Sequence, residues 1–414
     1  MMNLSSIVPV PERFSIHAKL YLIGIVLNGF AFGIWNVVFQ LYLTSLGFES
    51  AALGSIFMML PIGSALLTIP AGVLADRYGK GKILIIGWAF MMSALTIILI
   101  AKSIEMFQLA YLLMGPSYAM FSVSGPLYAS FFDAKDLDRA FGLNGFLNII
   151  TMSLSSLLGF VPPMLIGGYG FSLQTSYWVM VALAVGFWFG QMLFTILSLR
   201  GVVEPKRTGG FRFSLRSRGF LAKWCLISII GNVGFGVFFN LFPYYVNKRF
   251  DVQSASLGAL YFASNFVQAG AFAVAPRISK RLSTLKTIAI TLGLCTPFYL
   301  MIPLAPNFAW LSAFYIIRLG LGNISGPLIS ALFFRLLYDD EKATANSISA
   351  MVGQGTGVFV PWLGGQIMQQ VSLDSPAYLG SGLYVVYAVS YYFLLRNEKE
   401  KEAEPALAGE KQAN

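Results

Sequence analysis

Long apolar segments dominate this sequence and leave it one kind of fold. Apolar runs near or above the roughly 20 residues that a helix needs to cross a bilayer recur along all 414 residues. Because backbone N–H and C=O groups find no water in lipid, each run is expected to form a helix. Only 11% of the residues are charged, whereas soluble proteins have about a quarter. Six spans are expected in the first half and six in the second: residues 19–46, 50–75, 83–101, 106–132, 140–168, 173–199, 219–247, 254–278, 284–304, 308–334, 343–371 and 376–395.

The second half of the sequence repeats the first at an offset of about 203 residues. Three separate blocks share nearly this offset, which indicates that six spans have been duplicated. The matching blocks are Asn28 to Gly33 with Asn232 to Gly236, Glu49 to Gly54 with Gln253 to Gly258, and Ser124 to Phe132 with Ser325 to Phe334. Duplicated membrane halves that move against each other around a central site are typical of solute transporters.

The net charge of +10 is distributed over alternate loops. Lys and Arg cluster after spans 2, 6, 8 and 12, whereas the loops between these hold almost none. Under the positive-inside rule, both termini and the central loop are expected to be cytoplasmic. The charge therefore indicates topology and not nucleic-acid binding, and the expected location is the cell (plasma or inner) membrane.

These patterns predict an all-α membrane protein with 12 transmembrane helices in two pseudo-symmetric six-helix bundles. Residues 1–199 form the N-terminal bundle and residues 219–396 the C-terminal bundle. Residues 200–218 are a cytoplasmic linker, and residues 397–414 are a charged cytoplasmic tail that we expect to be disordered. The protein is expected to be a monomer whose partners are a small-molecule substrate and the lipid bilayer.

Few residues are available for chemistry. Cys225 and Cys295 both lie in apolar runs, so neither a disulfide framework nor a metal site is expected. The one histidine, His17, precedes the first expected span and excludes a histidine cluster. The sequence has no phosphate-binding loop and no nucleophile with a base beside it. We therefore expect no enzyme activity, no metal and no cofactor.

The loop between spans 2 and 3 carries a recognisable motif, Gly72-Val-Leu-Ala-Asp76-Arg77-Tyr-Gly79-Lys80-Gly-Lys82. It resembles the signature loop of the major facilitator superfamily, in which glycine, Asp-Arg, a second glycine and basic residues follow at fixed spacing. Gly72, Asp76, Arg77, Gly79 and Lys80 match, whereas Gly81 separates the final basic residues. Helix count, duplication and the long central loop extend the resemblance to the whole chain.

The resemblance implies a conformational latch. In the family, the aspartate of this motif helps to hold the two halves in the outward-open state. Carried over, Asp76 faces the start of span 11 near Lys342 and Ala343. The alternative is that Asp76 forms an interfacial ion pair with Arg77 or Arg139.

A second pair of matching segments begins spans 5 and 11. Asp138-Arg139 corresponds to Glu341-Lys342, with an acid and a base at each helix start. Such pairs suit the dipole of a helix N-terminus and could join the halves at an intracellular gate. Ordinary helix capping explains them equally well.

The resemblance also implies that spans 1, 4, 7 and 10 line a central cavity. Span 1 places Asn28, Asn36 and Gln40 at steps of four or eight on a slowly turning face, with Trp35 beside them. Span 7 places Asn232 and Asn240 at the same repeat positions. These amides could bind a solute, with rings covering its apolar or sugar-like surfaces, or they could join helices to one another.

Arg318 is the one charged residue expected in the middle of a span. A charge at the bilayer centre is costly and usually faces the bundle interior or water. Arg318 either binds an anionic substrate or lipid headgroup, or acts as a structural post that donates to helix carbonyls and amides. No acid occupies a similar depth, which favours facilitated diffusion or exchange over a carboxylate proton relay.

The sequence as a whole predicts secondary active or facilitative transport of a small solute by alternating access. An amphipathic or anionic organic compound fits the expected cavity. Gly159, Pro163, Gly167 and Gly168 of span 5 resemble the antiporter motif of the 12-helix drug exporters in the family, and this resemblance implies efflux. The alternatives are a transporter-like membrane sensor or receptor, and a translocator of lipid or lysolipid.

Overall fold

Twelve helical spans make up the fold of this chain. The computed structural model describes residues 15–133, 136–200, 216–281, 283–338 and 341–398. We number the spans α1 to α12; α2, α4, α5 and α7 are each broken into pieces. They are α1 (Ile16–Ser45), α2 (Ser50–Phe57 and Met59–Tyr78), α3 (Lys80–Ile100), α4 (Ile104–Phe121 and Ser124–Ala129), α5 (Leu137–Ser156, a 3₁₀ turn Leu157–Phe160 and Val161–Tyr169), α6 (Leu173–Ser198), α7 (Arg218–Phe239 and Phe242–Phe250), α8 (Ser254–Arg281), α9 (Thr284–Met301), α10 (Phe308–Arg335), α11 (Lys342–Gln370) and α12 (Ser375–Leu395).

The predicted all-α fold of twelve spans is confirmed. The span predicted at 173–199 is the helix Leu173–Ser198, for example, and most other ends agree similarly. Nine of the described helices are long and apolar enough to cross a membrane by length and composition alone. The other three, α4, α8 and α11, are broken or carry more polar and glycine residues. Most of the expected linker and tail, residues 201–215 and 399–414, lies outside the described residues.

The twelve spans pack as two halves. In the first half α1 packs against α5 and α6, and α4 packs against α2 and α3. In the second half α7 packs against α11 and α12, and α10 packs against α8 and α9. The corresponding pairs recur, as the sequence duplication predicts. The halves meet mainly through two helix pairs, α2 with α11 and α5 with α8, and α1 also contacts α7 and α8.

Contacts at the helix ends define two ends of the molecule. His17 Nδ1 lies 2.9 Å from the carbonyl of Ser198, which joins the start of α1 to the end of α6. Lys223 donates to Glu398 at 2.7 Å, which joins the start of α7 to the end of α12. We call this the linker end and the opposite one the far end.

The halves touch closely at the far end. Ser50 of α2 donates to the carbonyl of Gly365 on α11 at 3.0 Å. Ser254 of α8 donates to the carbonyl of Gly159 on α5 at 2.7 Å. A Cβ atom added to Gly365 would lie 2.3 Å from the Ser50 carbonyl oxygen, so only glycine permits this approach.

The same four helices are separated towards the linker end. Glycines of α2, α5, α8 and α11 lie there with open space beside them. A Cβ atom added to any of these glycines would meet no described atom within 4 Å: Gly72, Gly145, Gly270 and Gly355. Among the described residues, the halves are therefore in contact at the far end and apart at the linker end.

Candidate functional site

A cavity of about 540 Å³ lies between the two halves. Eight of the twelve spans contribute to its wall: α1, α2, α4, α5, α7, α8, α10 and α11. Its aromatic residues are Trp35, Phe39, Phe57, Tyr111, Phe239, Tyr261 and Tyr315, and its amides are Asn36, Gln40, Asn240, Asn265 and Gln268. None of the described residues that line it carries a charge. The wall therefore offers stacking surfaces and neutral hydrogen-bonding groups.

Four of the predicted cavity residues line this central cavity: Trp35, Asn36, Gln40 and Asn240. The Trp35 ring stacks on Phe39 with ring centroids 4.0 Å apart and planes 9° from parallel. Because Phe39 is 1% exposed, the stack holds Trp35 as a fixed flat surface on the cavity wall. Such a surface suits a planar or ring-shaped solute.

Gln40 joins the two halves at the break in α7. Pro243 has no N–H to donate to the carbonyl of Phe239, and α7 breaks between Phe239 and Phe242. The Gln40 amide donates to the carbonyl of Asn240 at 2.8 Å and accepts from the backbone N–H of Tyr244 at 3.3 Å. In an unbroken helix these two groups would bond to each other. A side chain of the first half thus occupies the open hydrogen-bonding position in the second.

Two other predicted cavity residues lie elsewhere. Asn28 lines a second cavity inside the first half, where its Oδ1 accepts from Trp188 Nε1 at 3.3 Å. Asn232 is exposed on α7 and donates to Thr356 of α11 at 3.3 Å. The stripe of amides at steps of four turns around the helix axis, so its members reach different spaces.

Arg318 is 3% exposed and lies one layer behind the wall of the central cavity. Four aromatic rings surround its guanidinium at 4.3 to 5.4 Å from Cζ to ring centroid: Phe239, Phe235, Tyr384 and Tyr299. Its Nε and Nη2 have no hydrogen-bond partner in the described part of the chain. Cation–π attraction is therefore the main interaction that holds this charge.

Phe239 separates Arg318 from the central cavity. The Phe239 ring lies 4.3 Å from the guanidinium carbon and also lines the cavity, whereas Arg318 does not. A change of the Phe239 rotamer would expose the unpaired donors of Arg318 to the cavity. The arrangement can thus present a neutral wall in one side-chain conformation and a cation in another.

Sequence reasoning missed the contribution of α8. Ser264, Asn265 and Gln268 line the cavity, and Gln268 donates to Asn323 of α10 at 3.1 Å. The signal was present, because these polar residues cluster within about one turn near the middle of a predicted span. These residues of α8 were not predicted because only spans 1, 4, 7 and 10 were expected to line the cavity.

The residues of the predicted latch lie at the linker end. Gly79 has φ +98°, a conformation that favours glycine, and forms the turn between α2 and α3. Lys80 is the first residue of α3. The exposed Arg77 lies over the Tyr78 ring at 5.4 Å, and Gly72 has open space beside it. The side chains of Asp76 and Ala343 lie outside the described part of the chain.

The two matched acid–base pairs at helix starts have different surroundings. Arg139 lies 3.9 Å from Asp136, one turn before it on the same side of the helix. Glu341 is 1% exposed and accepts from the backbone N–H groups of Arg216 at 2.7 Å, Ser217 at 2.9 Å and Tyr338 at 3.2 Å. Burial raises the pKa of the Glu341 carboxyl, but these hydrogen bonds outweigh it and lower the pKa from its usual value.

Two duplicated six-helix halves around a neutral, ring-lined cavity define a multi-pass membrane carrier for small solutes. The chain belongs to the major facilitator superfamily, whose family model matches residues 21–356. The resemblance carried by the loop motif is thereby confirmed. A comparison with curated protein sequences gives no match.

Solved structures with the same fold include several transporters. The nucleoside transporter NupG superposes with a TM-score of 0.69 at 15% identity, covering 92% of this chain and 100% of that chain. A bacterial homologue of the human lysosomal transporter Spinster, inward-facing and occupied, gives 0.70 at 13% identity, covering 92% and 96%. The human organic anion transporter MFSD10 gives 0.62 at 15% identity, covering 90% and 98%. At these identities the likeness establishes the fold alone.

Proposed function

We propose that this transporter carries an uncharged, ring-containing amphipathic solute by alternating access. The observation that carries the proposal is the wall of the central cavity, with seven aromatic residues, five amides and no charge among its described residues. Ring faces stack on planar solutes, and Asn or Gln amides pair with the edges of heterocycles. Nucleosides have both features, and NupG is described as a nucleoside transporter.

The test uses two solutes that differ by a single carboxylate. Purified protein in liposomes is given labelled uridine or labelled orotidine, which is uridine with a carboxylate on its ring. We expect saturable flux of uridine and little flux of orotidine. Asn36→Leu, which removes a cavity amide, should reduce uridine flux roughly tenfold if one hydrogen bond is lost. Gln370→Leu, at an exposed amide of α11, is the matched control.

Orotidine flux without uridine flux would overturn the proposal and favour an anionic solute. Flux of neither compound, nor of any other uncharged ring-containing solute in a panel, would also contradict it. In that case a sensor or a translocator of lipid or lysolipid becomes the better account.

A second candidate, transport of an organic anion, is favoured by the two unpaired donors of Arg318. Under this alternative Phe239 turns aside and the guanidinium receives a carboxylate. Arg318→Ala should then abolish anion flux while expression remains normal. Arg318→Met keeps most of the side-chain volume and controls for packing. Unchanged anion flux in well-folded protein would exclude a binding role for Arg318.

We further propose that the linker end faces the cytoplasm, since the basic loops lie there. The structure then corresponds to an inward-facing state, and efflux would begin from it by loading at the linker end. The central cavity offers no carboxylate among its described residues, so uniport or exchange is favoured. Flux should not change when a pH gradient is imposed across the liposome membrane, and a strong dependence would indicate proton coupling.

A further inference from the structure

A second cavity, of about 220 Å³, lies inside the first half of the molecule. It is bounded by α1, α3, α4 and α6 and shares no lining residue with the central cavity among the described residues. An engineered cavity of about 150 Å³ is enough to bind benzene. The second cavity can therefore hold a substituted ring.

The wall of the second cavity is aromatic, and two of the residues that line it each have an unsatisfied polar atom. Its rings are Tyr21, Phe32, Trp88, Tyr118, Phe121 and Trp188. Trp88 Nε1, a donor, and Gln191 Oε1, an acceptor, have no hydrogen-bond partner among the described residues. Trp88 lines the cavity and is only 3% exposed, so bulk solvent does not satisfy its indole N–H. Buried polar groups normally have partners, and such exceptions indicate a missing one.

We propose that the second cavity binds a small uncharged aromatic molecule that carries a hydroxyl, of the chemical class of phenols. One hydroxyl can accept from the indole N–H of Trp88 and donate to the amide oxygen of Gln191. The ring of the ligand would contact the aromatic wall. An organic cation would suit the rings and Gln191 but has no acceptor for Trp88. A carboxylate has no donor for Gln191.

A ligand bound in the second cavity is expected to affect the wall of the central cavity. Trp188 lies edge-on to Phe32 at 5.4 Å and also contacts Trp35 at 5.1 Å between ring centroids. Trp35 lines the central cavity and Trp188 lines the second. A bound phenol is therefore expected to change the rate of solute transport without competing with the solute.

The test measures binding directly, so that it does not depend on the proposed substrate. Fluorine NMR of 4-fluorophenol is recorded with the full-length protein in detergent micelles and with micelles alone. We expect a saturable bound signal that only the protein produces. Trp88→Phe and Gln191→Leu should each weaken binding roughly tenfold, the effect of one lost hydrogen bond. Ile25→Phe, which adds volume to the wall, should abolish it.

Matched controls separate this site from other tryptophans and from the central cavity. Trp178→Phe removes an indole whose N–H donates to the Leu99 carbonyl at 2.8 Å on the outer surface, and should leave binding unchanged. Asn36→Leu should also leave it unchanged. If Trp88→Phe does not fold, Gln191→Leu and Ile25→Phe still decide the question.

Three results would overturn the proposal. The first is no saturable signal, which would leave water as the occupant. The second is saturable binding that neither Gln191→Leu nor Ile25→Phe alters. The third is tighter binding of methylguanidinium than of 4-fluorophenol, which would show that the second cavity prefers cations.

Discussion

At the residue scale, the contact of Gln40 with α7 links the closure of the far end to backbone hydrogen bonding. Two groups of α7, the carbonyl of Asn240 and the N–H of Tyr244, bond to this one amide. The break that frees them follows from Pro243 in the same helix. Separation of the halves must remove Gln40 from the break and leave both groups to other partners.

Gln40→Ala should therefore weaken the far-end-closed state by about 1–3 kcal/mol, the cost of leaving partly buried polar groups unpaired. The closed-to-open ratio would fall roughly 5- to 150-fold. Spin labels at Tyr169→Cys and Val371→Cys, exposed positions at the far ends of the two halves, report the separation after Cys225 and Cys295 are replaced. Gln370→Ala, whose amide donates to Gln366 of the same helix, is the control. Identical distance distributions in Gln40→Ala and wild-type protein would contradict the role of Gln40.

At the scale of secondary-structure elements, Glu341 fastens the start of α7 to the segment between α10 and α11. Its carboxylate accepts from three backbone N–H groups, two of which directly precede the first residue of α7. Anions at a helix N-terminus are favoured by the unpaired amides and the helix dipole. The corresponding acid of the first half, Asp138, is exposed, so the two halves differ at this position.

The lowered pKa of Glu341 makes this attachment depend on pH. Because the folded-state pKa lies below the usual value of 4.5, the stabilisation is present above that value. It is lost as the pH falls through the folded-state pKa. Glu341→Gln should destabilise the protein by about 1–3 kcal/mol at neutral pH, and the difference from wild type should shrink in acid.

Thermal unfolding of purified protein between neutral pH and pH values below 4.5 measures that difference. The control is Glu398→Gln, which removes a partly exposed ion pair with Lys223 and should cost about 1 kcal/mol or less. A constant gap between Glu341→Gln and wild type at every pH would show that the carboxylate charge is not responsible.

At the scale of the whole molecule, closure at one end and separation at the other follow from glycine positions on α2, α5, α8 and α11. Where the halves touch, backbone carbonyls lie where a Cβ atom would stand: beside Gly54, Gly159, Gly258 and Gly365. Towards the linker end, Gly72, Gly145, Gly270 and Gly355 of the same helices meet nothing described within 4 Å. Small residues thus occur at both ends of the same helices. This arrangement suits two rigid halves that pack closely at the far end in one state and at the linker end in the other.

Gly365→Ala should shift the molecule away from far-end closure. The added methyl would lie 2.3 Å from the Ser50 carbonyl oxygen, and such overpacking costs about 1–3 kcal/mol. The far-end spin-label distance should lengthen and transport should slow. Gly186→Ala, in α6 with open space beside it, should change neither quantity. Slow transport with an unchanged distance would mean that Gly365 acts on something other than closure.

The sequence anticipates the fold far better than the site. Apolar length and the repeat offset predict twelve spans in two halves, because lipid permits few other structures. The surroundings of the amides of α1 were harder to predict. Helical spacing shows which face of a helix a residue lies on, but not which helix or cavity that face meets. Asn36 and Gln40 meet the central cavity, whereas Asn28, two turns earlier, meets the second. Two of the three backbone partners of Glu341 lie more than 120 residues away, beyond any local pattern.

Gln40 and the N–H group that it accepts from belong to residues 204 residues apart, the offset between the repeats. A bond between repeat-related positions lies close to the axis that relates the two halves. In a symmetric dimer of identical subunits, such positions would hold the same residue on both sides. Here one side has the glutamine, and the other has the broken helix that receives it. Because the two halves belong to one chain and have diverged in sequence, this contact near the axis can be asymmetric, with a side-chain amide on one side and free backbone groups on the other.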